Sequence, residues 1–217
     1  MQESGENTAE ISFFDILTSI LDKGGIFLIL ILITSIVLVA TVIYKFIHLN
    51  KAAILPDALL RIVSDFSREP SDEGAVELQS ALKGNQSVLA DLCKDVLSKQ
   101  DRDKESIEKS VEIKARDSIV GLGSGLPIME VIITIAPLMG LLGTASGLVS
   151  VFSDLDVEAS ERADLAKGIY EALYTTIAGL AVAVPAVIAH SHFTRKIETK
   201  SAKLELVVSR FITSLVK

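Results

Sequence analysis

The chain has 217 residues, a formal net charge of −7, one cysteine and a mean hydropathy of +0.47. That hydropathy is too high for an ordinary soluble domain of this length, and the apolar residues gather in three long uncharged stretches. The acidic balance argues against nucleic acid as a partner. Cys93 alone excludes an intrachain disulfide or a cysteine-built metal site, and His48, His190 and His192 lack zinc-binding spacing.

Residues 1–23 carry Glu3, Glu6, Glu10, Asp15 and Asp22 against a single Lys23. A signal peptide needs a basic leader and a small-residue cleavage site, so the first apolar stretch is predicted to be a retained span. Within this segment Phe13, Phe14, Leu17, Ile20 and Leu21 share one helical face, with Ser12 and Asp15 as a cap. This pattern predicts a short interfacial helix.

The first transmembrane helix is expected over residues 24–44, the second over 131–152 and the third over 172–193. Each covers ~30 Å of hydrocarbon at ~1.5 Å per residue. Between the first two lies an insert, residues 45–130, whose apolar residues recur at helical spacing. Helices are predicted over Ala53–Phe66 (interrupted near its start by Pro56), Val76–Leu82, Val88–Leu97 and Asp101–Ile119. Gly121-Leu-Gly-Ser-Gly125 lacks the strand and the lysine of a phosphate loop and is read as a flexible joint. A connection covers residues 153–171. Residues 194–217 repeat Ile197, Leu204, Val208, Phe211 and Leu215 as an amphipathic helix.

Lysine and arginine crowd the insert and the tail but are sparse in residues 1–23 and 153–171. By the positive-inside rule the N-terminus and the second connection are predicted to be periplasmic, the insert and C-terminus cytoplasmic. The expected architecture is an all-α integral membrane protein, three transmembrane helices with long helices extending into a cytoplasmic helical bundle.

The second and third spans differ from the first. Gly140, Gly143 and Gly147 lie on one, and Gly179 among several alanines on the other. In lipid, association is driven by close packing, which small residues permit, so these two spans are expected to face protein. Pro137 and Pro185 each free backbone groups that neighbours or water must satisfy. Thr134, Thr144 and Ser146 on the second span and Thr175 and Thr176 on the third add hydroxyls, with Glu171 at the outer end of the third. No Asp, Lys or Arg lies well inside a span. A threonine relays a proton through water but cannot store one as a change of charge. Any proton-storing group is therefore expected from another chain.

Ile135-Ala-Pro-Leu-Met-Gly-Leu-Leu-Gly-Thr-Ala-Ser-Gly147 resembles the second-span signature of the ExbB/TolQ/MotA proton-channel family. Gly168-Ile-Tyr-Glu-Ala-Leu-Tyr-Thr-Thr-Ile-Ala-Gly179, followed by Ala183-Val-Pro-Ala186, resembles its third-span signature. Three spans place the resemblance in the ExbB/TolQ branch. The resemblance implies a homo-oligomer, a pentamer, whose second and third helices surround the span of an ExbD/TolR-like subunit bearing a membrane aspartate. It implies a TonB-like or Tol-like energy transducer and a bacterial inner-membrane location. The sequence offers no nucleophile–base or metal constellation, so no cofactor, metal or enzymatic activity is expected. Of this chain's residues the resemblance assigns Thr144, Thr176 and Glu171 to the proton pathway or partner contact. Thr175 adds a hydroxyl beside Thr176 and stands one helical turn from Glu171, so the residue facing the pore is left open between the two threonines. An ExbB-like role in TonB-dependent transport is the first expectation. A TolQ-like role in envelope integrity and a non-conducting membrane scaffold are the alternatives.

Overall fold

The computed structural model describes residues 13–51, 54–99, 103–153 and 162–215. Every helix or strand among them is an α-helix: α1 (Phe13–Lys51), α2 (Asp57–Arg68), α3 (Asp72–Leu82), α4 (Val88–Leu97), α5 (Lys104–Gly123), α6 (Leu126–Ser153) and α7 (Arg162–Leu215). The chain is an all-α membrane protein. Stretches long and apolar enough to cross a bilayer lie at Gly25–Leu49 and Leu126–Ser150 and within Gly168–Leu215. The chain divides into two compact units, and α1, α6 and α7 contribute to both.

The first unit takes residues 1–39 and 128–188. Helix α1 is broken at Gly25, whose φ of 57° and ψ of −163° lie where a Cβ is poorly tolerated. The segment expected to form an interfacial helix is helical from Phe13 to this break; Ile11 and Ser12 lie outside the described residues. Leu28, Ile31 and Leu38 of α1 are buried, as are Met129, Ile132 and Ala136 of α6 and Ala172, Ala183 and Ala186 of α7. Ile33, Ile36, Leu141, Val149, Ile177 and Val184 point outward, as surface that only lipid or another apolar chain can cover. Thr34 returns its hydroxyl hydrogen to Leu30 O at 2.7 Å, the usual way a membrane threonine hides its polarity.

The second unit takes residues 40–127 and 189–217. Its core joins Leu59, Val63 and Phe66 of α2 to Leu78 and Leu82 of α3, Leu89, Leu92, Cys93 and Val96 of α4, Ile107 and Val111 of α5, and Leu204, Val208 and Phe211 of α7. The Phe66 and Phe211 rings meet with centroids 6.0 Å apart. Ser71 and Ser87 cap α3 and α4 by accepting from the Gly74 and Ala90 N–H groups. Helix α2 begins after Pro56, because the residue preceding a proline is pushed out of the α region, and Ala53, the expected start, lies outside the described residues. The Leu89 N–H instead donates to the Ile54 carbonyl at 3.2 Å, which ties this non-helical lead-in to α4. Asp95 accepts from Lys99 at 2.7 Å and stands 3.6 Å from Lys114, pinning α4 to α5.

Lys45 is fully buried. Its ammonium donates to the Leu122 carbonyl, one of the last carbonyls of α5 that no intrahelical N–H reaches. The neighbouring Gly121 carbonyl accepts from the Ser124 N–H at 3.2 Å. Gly125 then turns the chain into α6 at φ 86°, a backbone conformation that L side chains rarely adopt. The glycine-rich segment is thus a specific corner: Gly121 and Gly123 complete α5, and Gly125 makes the turn.

Candidate functional site

The small residues of α6 follow the helical repeat. Ala136, Gly140, Gly143 and Gly147 fall on one stripe by steps of four, three and four. Opposite them on α7 stand Ala172, Thr175, Thr176 and Gly179. The approach is close enough to measure by adding a missing methyl. A Cβ on Gly179 would lie 2.5 Å from the Ala136 carbonyl oxygen, and one on Gly140 2.9 Å from the Thr175 carbonyl oxygen and the Thr176 Cα. A Cβ on Gly143 would lie 2.5 Å from Thr175 Oγ1, while one on Gly147 would meet Ala172 Cβ at 3.1 Å. At Gly140 and Gly179 backbone therefore rests against backbone, while at Gly143 and Gly147 the facing atoms are the short Thr175 and Ala172 side chains.

Close approach brings the threonines to main-chain carbonyls across the seam. Thr176 donates to Gly140 O at 3.0 Å. Thr175 is buried, donating to Ala172 O at 2.7 Å with a longer contact of 3.3 Å to Gly140 O. The two threonines are not divided into one facing the seam and one facing away; both hydroxyls point at the same carbonyl. Thr144, half-buried, donates to Leu141 O at 2.7 Å, and Thr134 donates to Glu130 O at 3.2 Å. Ser146 is exposed.

Glu171 lies in α7, four residues before Thr175, and its side chain is outside the described residues. Pro137 and Pro185 sit inside α6 and α7, where each removes one helix N–H donor while the helix continues through it. The stretch Val131–Phe152 of α6 contains no ionisable side chain. Its polarity consists of hydroxyls and main-chain carbonyls.

Residues 79–206 match the MotA/TolQ/ExbB proton channel family, more than half of the chain. The chain belongs to that family. Within it, the chain is 29% identical over 197 residues to a biopolymer transport protein ExbB homologue of Methanothermobacter thermautotrophicus, covering 91% of this chain and 70% of the relative. It is 30% identical over 168 residues to the biopolymer transport protein ExbB-like 1 of Synechocystis, covering 75% of this chain and 64% of the relative. It is 32% identical over 110 residues to the Tol-Pal system protein TolQ of Pseudomonas aeruginosa, covering 50% and 45%. The family match takes in all of α6 and the whole α6–α7 seam.

Reading the sequence for this family singled out the glycines and threonines of the seam but neither the Gly140 carbonyl nor Ala136 and Ala172. The signal was available, because Ala136 lies four residues before Gly140 and Ala172 three before Thr175.

Proposed function

We propose that the chain is the channel-forming subunit of a proton-motive-force-driven motor, ExbB-like, energising TonB-dependent transport at the outer membrane. The observation that carries the reading is the α6–α7 seam. It gathers the Thr175 and Thr176 hydroxyls at the Gly140 carbonyl, with the Thr144 hydroxyl one turn along α6 bonded to its own helix, and α6 has no ionisable group in its apolar stretch. Hydroxyls and carbonyls stabilise a hydrated proton but hold no charge of their own. The titrating group is then the membrane aspartate of an ExbD/TolR-like single-span subunit, enclosed by a homo-oligomer, a pentamer, of this chain. Glu171 and the threonines form the pathway or the partner contact. The seam glycines and the two prolines fix its shape. The site lies in the inner membrane, with the N-terminus periplasmic and the insert and tail cytoplasmic.

The names of the relatives support the ExbB-like role, since two of the three described are ExbB proteins or ExbB-like. The TolQ of Pseudomonas aeruginosa keeps a TolQ-like role as the second reading.

The test is reconstitution of the chain in liposomes with and without its single-span partner, under an imposed potential. Partner-dependent proton flux is expected. A tight vesicle in both cases, with the complex intact by native mass spectrometry, would reduce the chain to a membrane scaffold.

A further inference from the structure

We infer that a groove in the second unit, between α2 and the last turns of α7, binds a phosphate-class anion carrying at least two negative charges. The groove encloses about 650 Å³, within the range of small-ligand sites. Its walls are held from beneath: Phe66 and Phe211 are buried with rings 6.0 Å apart, so the two helices cannot close over the space.

The lining is basic. Arg61, Asp65 and Arg68 fall on one stripe of α2 by steps of four and three, and Arg210 faces them from α7. Three guanidiniums and one carboxylate thus share the lining of one groove, in a chain whose net charge is −7. The ion pairs among the described residues are Lys94–Asp91, Lys99–Asp95 and Lys114–Asp95, none of which involves these arginines. Three cations left unpaired around one concavity, in a chain rich in acids, form a site with its counter-charge outstanding. Ser64 and Ser209 also line it, and neither hydroxyl is bonded among the described residues.

The chemistry favours an oxyanion. Guanidinium forks match the paired oxygens of phosphate, and each remains charged at any physiological pH. No aromatic ring lines the groove, so a nucleobase would find no platform to stack on. Recognition rests on the charged oxygens. Such an anion has two sources, a soluble phosphate compound or a lipid headgroup. Arg210 follows Arg195, the first charge after the apolar stretch of α7, by 15 residues of continuous helix. That is ~22 Å, which favours the soluble source.

The experiment titrates inorganic pyrophosphate into the full chain in phosphatidylcholine nanodiscs, by calorimetry near physiological salt. Saturable binding is expected, one site per chain. Arg61→Gln, Arg68→Gln and Arg210→Gln should each weaken it about tenfold, the loss of one charge-assisted contact. Asp65→Asn should tighten it. Arg116→Gln, on the exposed face of α5, should change nothing. Repeating the titration with phosphatidylglycerol in the disc separates the sources: unchanged affinity marks a soluble ligand, and competition marks a headgroup in the same site. All four arginines are exposed, and thermal unfolding of each variant checks that the fold is kept. Absence of saturable binding, or an Arg116→Gln effect equal to that of the groove variants, would overturn the site and leave only diffuse surface charge.

Discussion

Gly179 stands against Ala136 so closely that a single added carbon would lie 2.5 Å from the Ala136 carbonyl oxygen. Main-chain atoms cannot rotate away as a side chain can. Gly179→Ala and Gly140→Ala should therefore force α6 and α7 apart, at ~1–3 kcal/mol each, the usual penalty for overpacking. Gly143→Ala would meet the Thr175 side chain, Oγ1 at 2.5 Å and Cβ at 2.9 Å, and should displace that hydroxyl as well. Gly147→Ala should be milder, since its nearest neighbour is a methyl at 3.1 Å. Gly121→Ala, with open space around its Cβ position, should gain ~0.5–1 kcal/mol through lower backbone entropy in the unfolded chain. Thermal stability of the detergent-solubilised variants gives the ranking, and an equal response at Gly121 and Gly179 contradicts it.

Thr176→Val keeps the side-chain shape and deletes the donor to Gly140 O. Interhelical bonds in membranes contribute ~0.6–1.7 kcal/mol, so assembly should persist while motor function falls. Thr144→Val should also lower function, and with a smaller structural effect because its hydroxyl bonds only its own helix. Wild-type function in the double variant would leave the threonines a packing role alone.

Glu171→Ala should abolish or severely reduce function with the oligomer retained, and Glu171→Gln should do nearly the same. Each ~100 mV supplies ~2.3 kcal/mol per charge, and an uncoupled entrance forfeits it. If glutamine works as well as glutamate, the residue hydrogen-bonds or packs and does not handle protons.

Asp95 titrates in a defined direction. Partial burial raises its carboxyl, but the hydrogen bond from Lys99 and the charges of Lys114 and Lys99 outweigh this and hold it below the ordinary value. A group depressed in the folded state contributes stability above its unfolded pKa, about 3.9, and loses it as pH falls through the folded value. The protection of α4 amides, after correction for the pH dependence of intrinsic exchange, should thus fall below about pH 4. Asp95→Asn should remove that acid step and cost about 1 kcal/mol at neutral pH. An unchanged acid profile in the variant would show that Asp95 is not the source.

Burial pushes the Cys93 thiol up to about 12, and its side chain is fully enclosed. The native chain should be nearly silent to maleimides, because the thiolate is the reactive form. Single cysteines near Gly5 and Lys217, in a Cys93→Ala background, then report orientation in intact cells. An impermeant reagent should label only the first. Labelling only at Lys217 reverses the topology.

Much of this molecule could be read before its structure. Twenty uncharged residues in a row have few fates, and α4 runs over Val88–Leu97 as its apolar spacing dictates. The family showed itself through glycines and threonines, residue types whose positions a tight membrane seam constrains. What escaped was whatever depended on distant partners. Lys45 reads as an ordinary charge flanking a span, and nothing near it in sequence announces the Leu122 carbonyl. Arg61, Arg68 and Arg210 look like solvated faces of separate amphipathic helices until folding sets those helices side by side. Periodicity reports which face is apolar; it does not report which polar faces become neighbours.

The Lys45–Leu122 contact also orders events in time. The two residues are 77 apart in sequence. At ~5–20 residues per second of synthesis, the carbonyl arrives roughly 4–15 s after the ammonium. Until then the ammonium lacks the Leu122 carbonyl, and water or headgroups can serve it instead. The burial of this ammonium is completed only after the corner between α5 and α6 has been made. Biogenesis of the first span is therefore finished by a segment translated long after it.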